Sequence, residues 1–239
     1  VTQPGNFQNY NASFSGGSEK STHFLGIDYY DHEGVVKNSW YNRLTARYNN
    51  DSKLNDWITL GVRFNFMESK IKNINEESDE LYGTMYSAVS SQPTAPIYDT
   101  DGDYFDGFLN TKANPVAIVD LLDRTTQRSN FNGSFFLEFE PVKHLKIKSN
   151  NSGQLVYSLT DEYEDPRMGQ HYSQEGVAKI SNAKNRYWQT ENTITYSNKF
   201  NEHRINVMGG FSASKNDYQY SFAQAKGVDP ITRYFNLGG

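Results

Sequence analysis

Three observations predict an all-β fold and, within it, an antiparallel up-and-down membrane β-barrel segment. Apolar residues recur at every second position, the alternating stretches are long, and the connections between them are short and long by turns. A period of two sends successive side chains to opposite faces of a strand, so each such stretch has one apolar face and one wet face.

Taken in order, Tyr10, Ala12, Phe14 and Gly16 alternate with Asn9, Asn11, Ser13 and Ser15. Leu25, Ile27 and Tyr29 share the next apolar face, and Leu44, Ala46 and Tyr48 then alternate with Arg43, Thr45, Arg47 and Asn49. The plainest strand sets Ile58, Leu60, Val62, Phe64 and Phe66 against Trp57, Thr59, Arg63 and Asn65. Phe131, Gly133, Phe135, Leu137 and Phe139 oppose Asn132, Ser134, Glu138 and Glu140, and Leu145, Ile147, Leu155, Tyr157 and Leu159 keep one parity. A weaker strand carries Trp188, Ile194 and Tyr196, its apolar face interrupted by Thr190 and Asn192. The last sets Ile205, Val207, Gly209, Phe211 and Ala213 against Arg204, Asn206 and Ser212.

These make about eight strands of roughly ten residues or more, longer than the usual 5 to 6 and matched to the 9 to 11 that cross a bilayer. Short turns at Ser18 to Ser21, Asp51 to Asn55, Pro141 to Lys143 and Asn201 to His203 alternate with longer connections at His32 to Ser39, Glu68 to Arg128 and Thr160 to Arg186. A membrane barrel segregates its loop lengths in this way, whereas a soluble sandwich has little reason to. Tyr29, Tyr30, Tyr48, Trp57, Phe66, Tyr157, Trp188 and Tyr196 fall towards strand ends, where a girdle of amphipathic rings belongs. Ordinary β propensity would put aromatic rings there too.

Composition removes other classes. The 239 residues include no cysteine, which excludes a disulfide scaffold, a thiolate metal site and a cysteine nucleophile. The aromatic share of 15% argues against disorder although mean hydropathy is −0.77. No apolar run approaches the about 20 residues of a membrane-spanning helix. Lys plus Arg at 23 against Asp plus Glu at 28 gives a net charge of −5, which disfavours nucleic acid as a partner. Val1-Thr2-Gln3-Pro4-Gly5 carries no targeting pattern and reads as a processed or truncated start.

The ordered combination Phe14-Ser15-Gly16-Gly17-Ser18-Glu19-Lys20, Phe24-Leu25, Tyr29, Glu33-Gly34-Val35-Val36-Lys37-Asn38-Ser39, Arg43 and Arg47 resembles the early barrel region of SusC/RagA-like TonB-dependent outer-membrane transporters. Echoes continue in Gln92-Pro93-Thr94-Ala95-Pro96, Asp101-Gly102 and Asn114-Pro115. The resemblance implies a large barrel, of about 22 strands around a plugged lumen. It further implies import of a glycan or peptide ligand across the bacterial outer membrane, energy from a TonB complex, a SusD-like surface lipoprotein as partner, and a lipid bilayer around the wall. The family's signal sequence, plug and TonB box have no counterpart in the chain, which closes on Leu237-Gly238-Gly239 rather than on a terminal aromatic. Residues 1–239 are therefore expected to be an internal part of a single barrel domain, with long external loops near 68–128 and 160–186. A soluble secreted all-β carbohydrate-binding module is the competing expectation.

Four groups of residues are candidates for chemistry. Asp99, Asp101, Asp103 and Asp106 are spaced closely enough to wrap a calcium ion, but the segment is no EF-hand. Counted from Asp99, glycine stands fourth instead of sixth, and Asn110 holds the twelfth place that needs a bidentate Glu. A solvated turn accounts for the same residues. His23, His32, His144, His171 and His203 are scattered, no Gly-x-Ser-x-Gly elbow occurs, and the Glu138/Glu140 and Glu162/Glu164 pairs suit a wet strand face, so a non-enzyme is expected. If the apolar parity faces lipid, Arg43, Arg47, Arg63, Asn65, Glu138, Lys146, Lys148 and Glu191 face the lumen, where they would contact substrate or plug or simply brace the wall. Tyr98, Tyr104, Phe105 and Phe108 would stack on an external ligand, or fill a small core of their own loop.

Overall fold

A computed structural model describes residues 1–73, 83–107, 113–169 and 175–230. Eight strands form one antiparallel sheet in chain order: β1 (Asn6–Gly17), β2 (Ser21–Glu33), β3 (Trp40–Asn55), β4 (Ile58–Lys72), β5 (Asp123–Val142), β6 (Leu145–Glu164), β7 (Val177–Phe200) and β8 (His203–Lys226). Each strand pairs only with its sequence neighbours, so β1 and β8 are free edges and the sheet is open. An all-β barrel segment is thus what the sequence led us to expect. Two short helices, α1 (Thr84–Ser90) and α2 (Pro115–Leu121), lie in the β4–β5 connection, and a 3-10 turn (Pro166–Met168) lies between β6 and β7. Among the described residues no helix is long and apolar enough to cross a membrane.

The hairpins at one end are tight. The β5–β6 and β7–β8 turns hold His144 at φ 75° and Asn201 at φ 53°, the left-handed backbone that two-residue hairpin loops require. At β3–β4 the Trp57 N–H donates to Asn55 Oδ1 over 3.0 Å, closing the turn. The opposite end differs from the expected loop bounds. β4 continues to Lys72 and β5 starts at Asp123, while β6 continues to Glu164 and β7 starts at Val177. The long connections are therefore shorter than 68–128 and 160–186. Ser69, Thr125, Thr126, Arg128, Lys179 and Ser181 show no apolar alternation, but a ladder held by backbone hydrogen bonds needs none once both faces are wet.

Register aligns the apolar parities into one face. Phe14 pairs with Leu25, Leu25 with Tyr48 and Tyr48 with Phe64, and the row runs on through Gly133 and Gly153 to Trp188. No second layer covers this face among the described residues, so Phe14 stays 70% and Phe211 67% exposed. On β8 the apolar stretch Ile205 to Ala213 fits the about 9 to 11 residues of a crossing strand. Lys215, Asp217 and Gln219 follow on the same face. One island interrupts it: Ser149 pairs with Asn192 and Asn151 with Thr190, and within it Asn151 donates to Ser149 and Asn192 to Thr190, each over 3.1 Å. Tyr30 pairs with Arg43 and so stands on the opposite, polar face, outside the expected girdle.

Among the described residues the packed core lies at the loop end. Val36 from the β2–β3 connection, Ala113, Ala117, Ile118, Val119, Leu121 and Leu122 from β4–β5, and Met168 from β6–β7 are buried together. Asn114 nucleates α2: its Oδ1 accepts from the N–H groups of Val116 and Ala117, and Pro115 sits where a missing N–H costs nothing. The Asn114 amide also donates to the carbonyls of Ile97 (2.8 Å) and Phe105 (3.3 Å). Asn38, at φ 65°, donates to the Val119 carbonyl over 3.0 Å and ties the β2–β3 loop to α2. Asp165, fully buried, accepts from the Arg167 backbone and guanidinium to hold the third loop.

Candidate functional site

The polar face of the sheet is built by the strand positions that alternate with the apolar set. All eight charged and amide residues expected on the wet face fall there by register: Arg43, Arg47, Arg63, Asn65, Glu138, Lys146, Lys148 and Glu191. Two adjacent rows define its middle. One runs Arg47, Asn65, Asn132, Gln154, Tyr187, and the next runs Asn49, Arg63, Ser134, Ser152, Gln189.

Most of the charges are matched within the wall. Arg43 reaches Asp28 at 3.2 Å, Arg63 holds both carboxylate oxygens of Asp51 at 2.8 and 2.7 Å, and Lys146 meets Glu138 at 2.8 Å. The Lys148 ammonium lies 4.4 Å from the centre of the Phe136 ring, and Glu191 accepts from Gln189 over 2.7 Å. Phe136 is on this face because it pairs with Gly61, where its ring takes the place a Cβ would need. These exposed pairs contribute little stability individually, about 0 to 1 kcal/mol each, but they set the local charge pattern. Of the named cations, Arg47 makes no ion pair, hydrogen bond or ring contact among the described residues, and Lys148 has only the Phe136 ring. Two concavities, of about 410 and 470 Å3, share Arg47 and Asn65 in their linings.

The partners Asp28 and Asp51 were not singled out from the sequence. Asp28 alternates with Ile27 and Tyr29, so its face was legible. The sequence pattern places Asp51 in a turn, whereas β3 extends to Asn55 and includes it. The amides Asn132 and Gln154 have the right parity, but only register brings them beside Asn65.

The external loops sort differently. The Tyr98 and Tyr104 rings are 5.2 Å apart across a small bridge, and the Tyr104 hydroxyl donates to Asp120 over 3.0 Å. Burial, and then the Asp120 carboxylate beside it, push the Tyr104 phenol up to about 12. Tyr104 packs on the loop core and Phe105 is half-buried beside it, whereas Tyr98 is exposed. Phe108 lies outside the described residues. The acidic stretch forms no cage: Asp99 Oδ1 accepts from the N–H groups of Asp101 and Asp103, both at 2.9 Å, as a turn does, and Asp106 lies against Gly169 of another loop. No three His, Asp or Glu side chains among the described residues come together as metal ligands.

An open, long-stranded antiparallel sheet with one uncovered apolar face, one hydrogen-bonded polar face, tight turns at one end and packed loops at the other is a sector of a barrel wall. Comparison with known proteins narrows the class. No family model matches the chain. It is 29% identical over 240 residues to TonB-dependent receptor P26 of Formosa agariphila, covering 98% of this chain and 23% of that one. TonB-dependent receptor P39 of the same organism is 29% identical over 232 residues, covering 92% and 21%. In fold the chain is similar to the RagAB peptide transporter, with a TM-score of 0.74 at 18% identity, over 94% of this chain and 26% of that one. The RagAB peptide importer in its 'open-open' state has a TM-score of 0.73 at 19% identity. The chain thus spans about a quarter of the length of the curated relatives it matches, and the resemblance to SusC/RagA-like TonB-dependent transporters is borne out.

Proposed function

We propose that these eight strands form part of the wall of a bacterial outer-membrane transporter that imports glycan or peptide fragments, with energy from a TonB complex and a SusD-like surface lipoprotein at its external loops. The carrying observation is the division of one sheet into two faces. The face of Phe14, Phe64, Phe135 and Phe211 has no protein cover among the described residues and suits lipid, while the face of Arg43, Arg63 and Glu138 carries ion pairs and amides and suits an aqueous lumen. A soluble sandwich would oppose its apolar face with a second sheet. No catalytic step is assigned: Asp28, Asp51, Glu138 and Glu191 are each engaged by a cation or an amide of the wall.

The test uses the full-length receptor that contains this chain. Cells lacking it are expected to lose uptake of labelled oligopeptides or oligosaccharides, and the isolated chain is expected to need detergent or lipid to remain a folded monomer. Unchanged uptake of both ligand classes overturns the import reading, and a monodisperse monomer in plain buffer overturns the membrane reading.

A further inference from the structure

The polar face carries a charge and two hydrogen-bonding atoms that nothing among the described residues satisfies. Arg47 is exposed and has no carboxylate, while Arg43, Arg63 and Lys146 each have one. Its cross-strand neighbour Asn65 keeps Oδ1 buried without a donor among the described residues, and Arg43 Nε, four residues back along β3 on the same face, is buried without an acceptor. Buried polar atoms are rarely left unmatched, because each lost hydrogen bond costs about 1 to 3 kcal/mol. The three groups converge. Arg47 and Asn65 line both concavities, Arg43 lines the larger, and the one carboxylate in either lining, Asp28, is already engaged by Arg43. The surrounding Asn49, Asn132 and Gln154 are neutral, so the positive potential of Arg47 is not cancelled locally.

A guanidinium presents a planar fork of donors that matches a carboxylate, and a side-chain carbonyl beside it accepts from an N–H or O–H. We propose that Arg47 and Asn65 form a subsite for a carboxylate-bearing ligand: Arg47 holds the carboxylate, and Asn65 Oδ1 accepts a hydrogen bond from an amide or hydroxyl of the same molecule. The inference rests on the reading of this face as the lumen lining, and it names the ligand chemistry there. The carboxylate belongs either to a peptide or to a uronic-acid glycan, since both offer an N–H or O–H next to it.

The test measures binding to the full-length receptor in detergent with two matched pairs of probes: an oligopeptide with a free C-terminal carboxylate and its C-terminal amide, and a galacturonate trisaccharide and its methyl ester. The acid of one pair is expected to bind about tenfold or more tightly than its neutral partner. Arg47→Gln is expected to erase that preference, and Arg47→Lys to keep part of it. The favoured pair identifies the source of the carboxylate. A charge preference that survives Arg47→Gln overturns the subsite while leaving the import reading intact. So does loss of receptor stability in Arg47→Gln without any charge preference in the wild type, which would assign Arg47 to a carboxylate elsewhere in the same receptor. Failure of every probe, neutral ones included, to bind or be taken up overturns both.

Discussion

The sheet and the loop cluster are stabilised against two different surroundings. In the sheet the largest apolar side chains point away from the protein, Phe14 at 70% and Phe211 at 67% exposed, and order comes from backbone ladders and paired charges on the other face. At the loop end an aliphatic core is enclosed, with Ile118, Val119 and Met168 at 0%, and the Asn38 amide, the buried Asn114 amide and the buried Asp165 carboxylate tie the backbone together. The loop end is folded as an ordinary water-soluble protein is, with its grease inside. The wall inverts that arrangement and relies on an apolar solvent outside.

The sharpest way to break this division is to strike the loop core alone. Ile118→Ala should cost about 2 to 5 kcal/mol, the usual range for emptying a buried aliphatic site. Because three connections share the cavity, proteolysis should open the β2–β3, β4–β5 and β6–β7 loops together while amide exchange in β5 to β8 stays slow. Next in size, Phe135→Arg in the middle of the apolar face should cost about 2 to 4 kcal/mol in a lipid bilayer, read as a lower denaturant midpoint in vesicles. The same change should be nearly neutral in a soluble sheet's wet face, so its sign of cost separates the two environments. Asn114→Ala removes the α2 cap and the two bonds to the Ile97 and Phe105 carbonyls, and should cost about 1 to 3 kcal/mol, visible as faster exchange at Val116 and Ala117. The smallest effect is a titration. The Tyr104 phenol is raised from its usual value of 10.0 to about 12, so the folded loop holds its proton longer than the unfolded chain. The stability it lends is complete below pH 10 and is lost as pH rises towards 12. The difference in phenolate absorbance between wild type and Tyr104→Phe should therefore appear near pH 12 and not near pH 10.

The two regions were unequally legible in the sequence. Faces of the wall could be read off Ile58 to Phe66 or Phe131 to Phe139, because a period of two is a local property and lipid outside preserves it. Strand ends beyond the bilayer could not: with Thr125, Arg128 and Lys179 both faces are wet and the alternation disappears, though pairing continues. The loop core escaped notice because Val36, Ile118 and Met168 are brought together from distant stretches with no shared pattern. Asn114-Pro115 was its one local trace, an N-cap followed by a proline at the first helical position. At the candidate site, the cations on the wet face could be named from parity, but their state could not. Whether an arginine is neutralised depends on which residue lies diagonally across on the next strand, and register separates the matched Arg43 and Arg63 from the unmatched Arg47.

The shared loop core also bears on how such a wall can change over generations. Loops displayed separately can be lengthened, shuffled or swapped one at a time, each tried against a new ligand. Here Asn38, Val119 and Met168 bind three connections into one unit, so a substitution in any of them is judged by the other two. Diversity at this rim should arise in coordinated sets, and grafting a single loop from a relative should fail where transferring all three together succeeds.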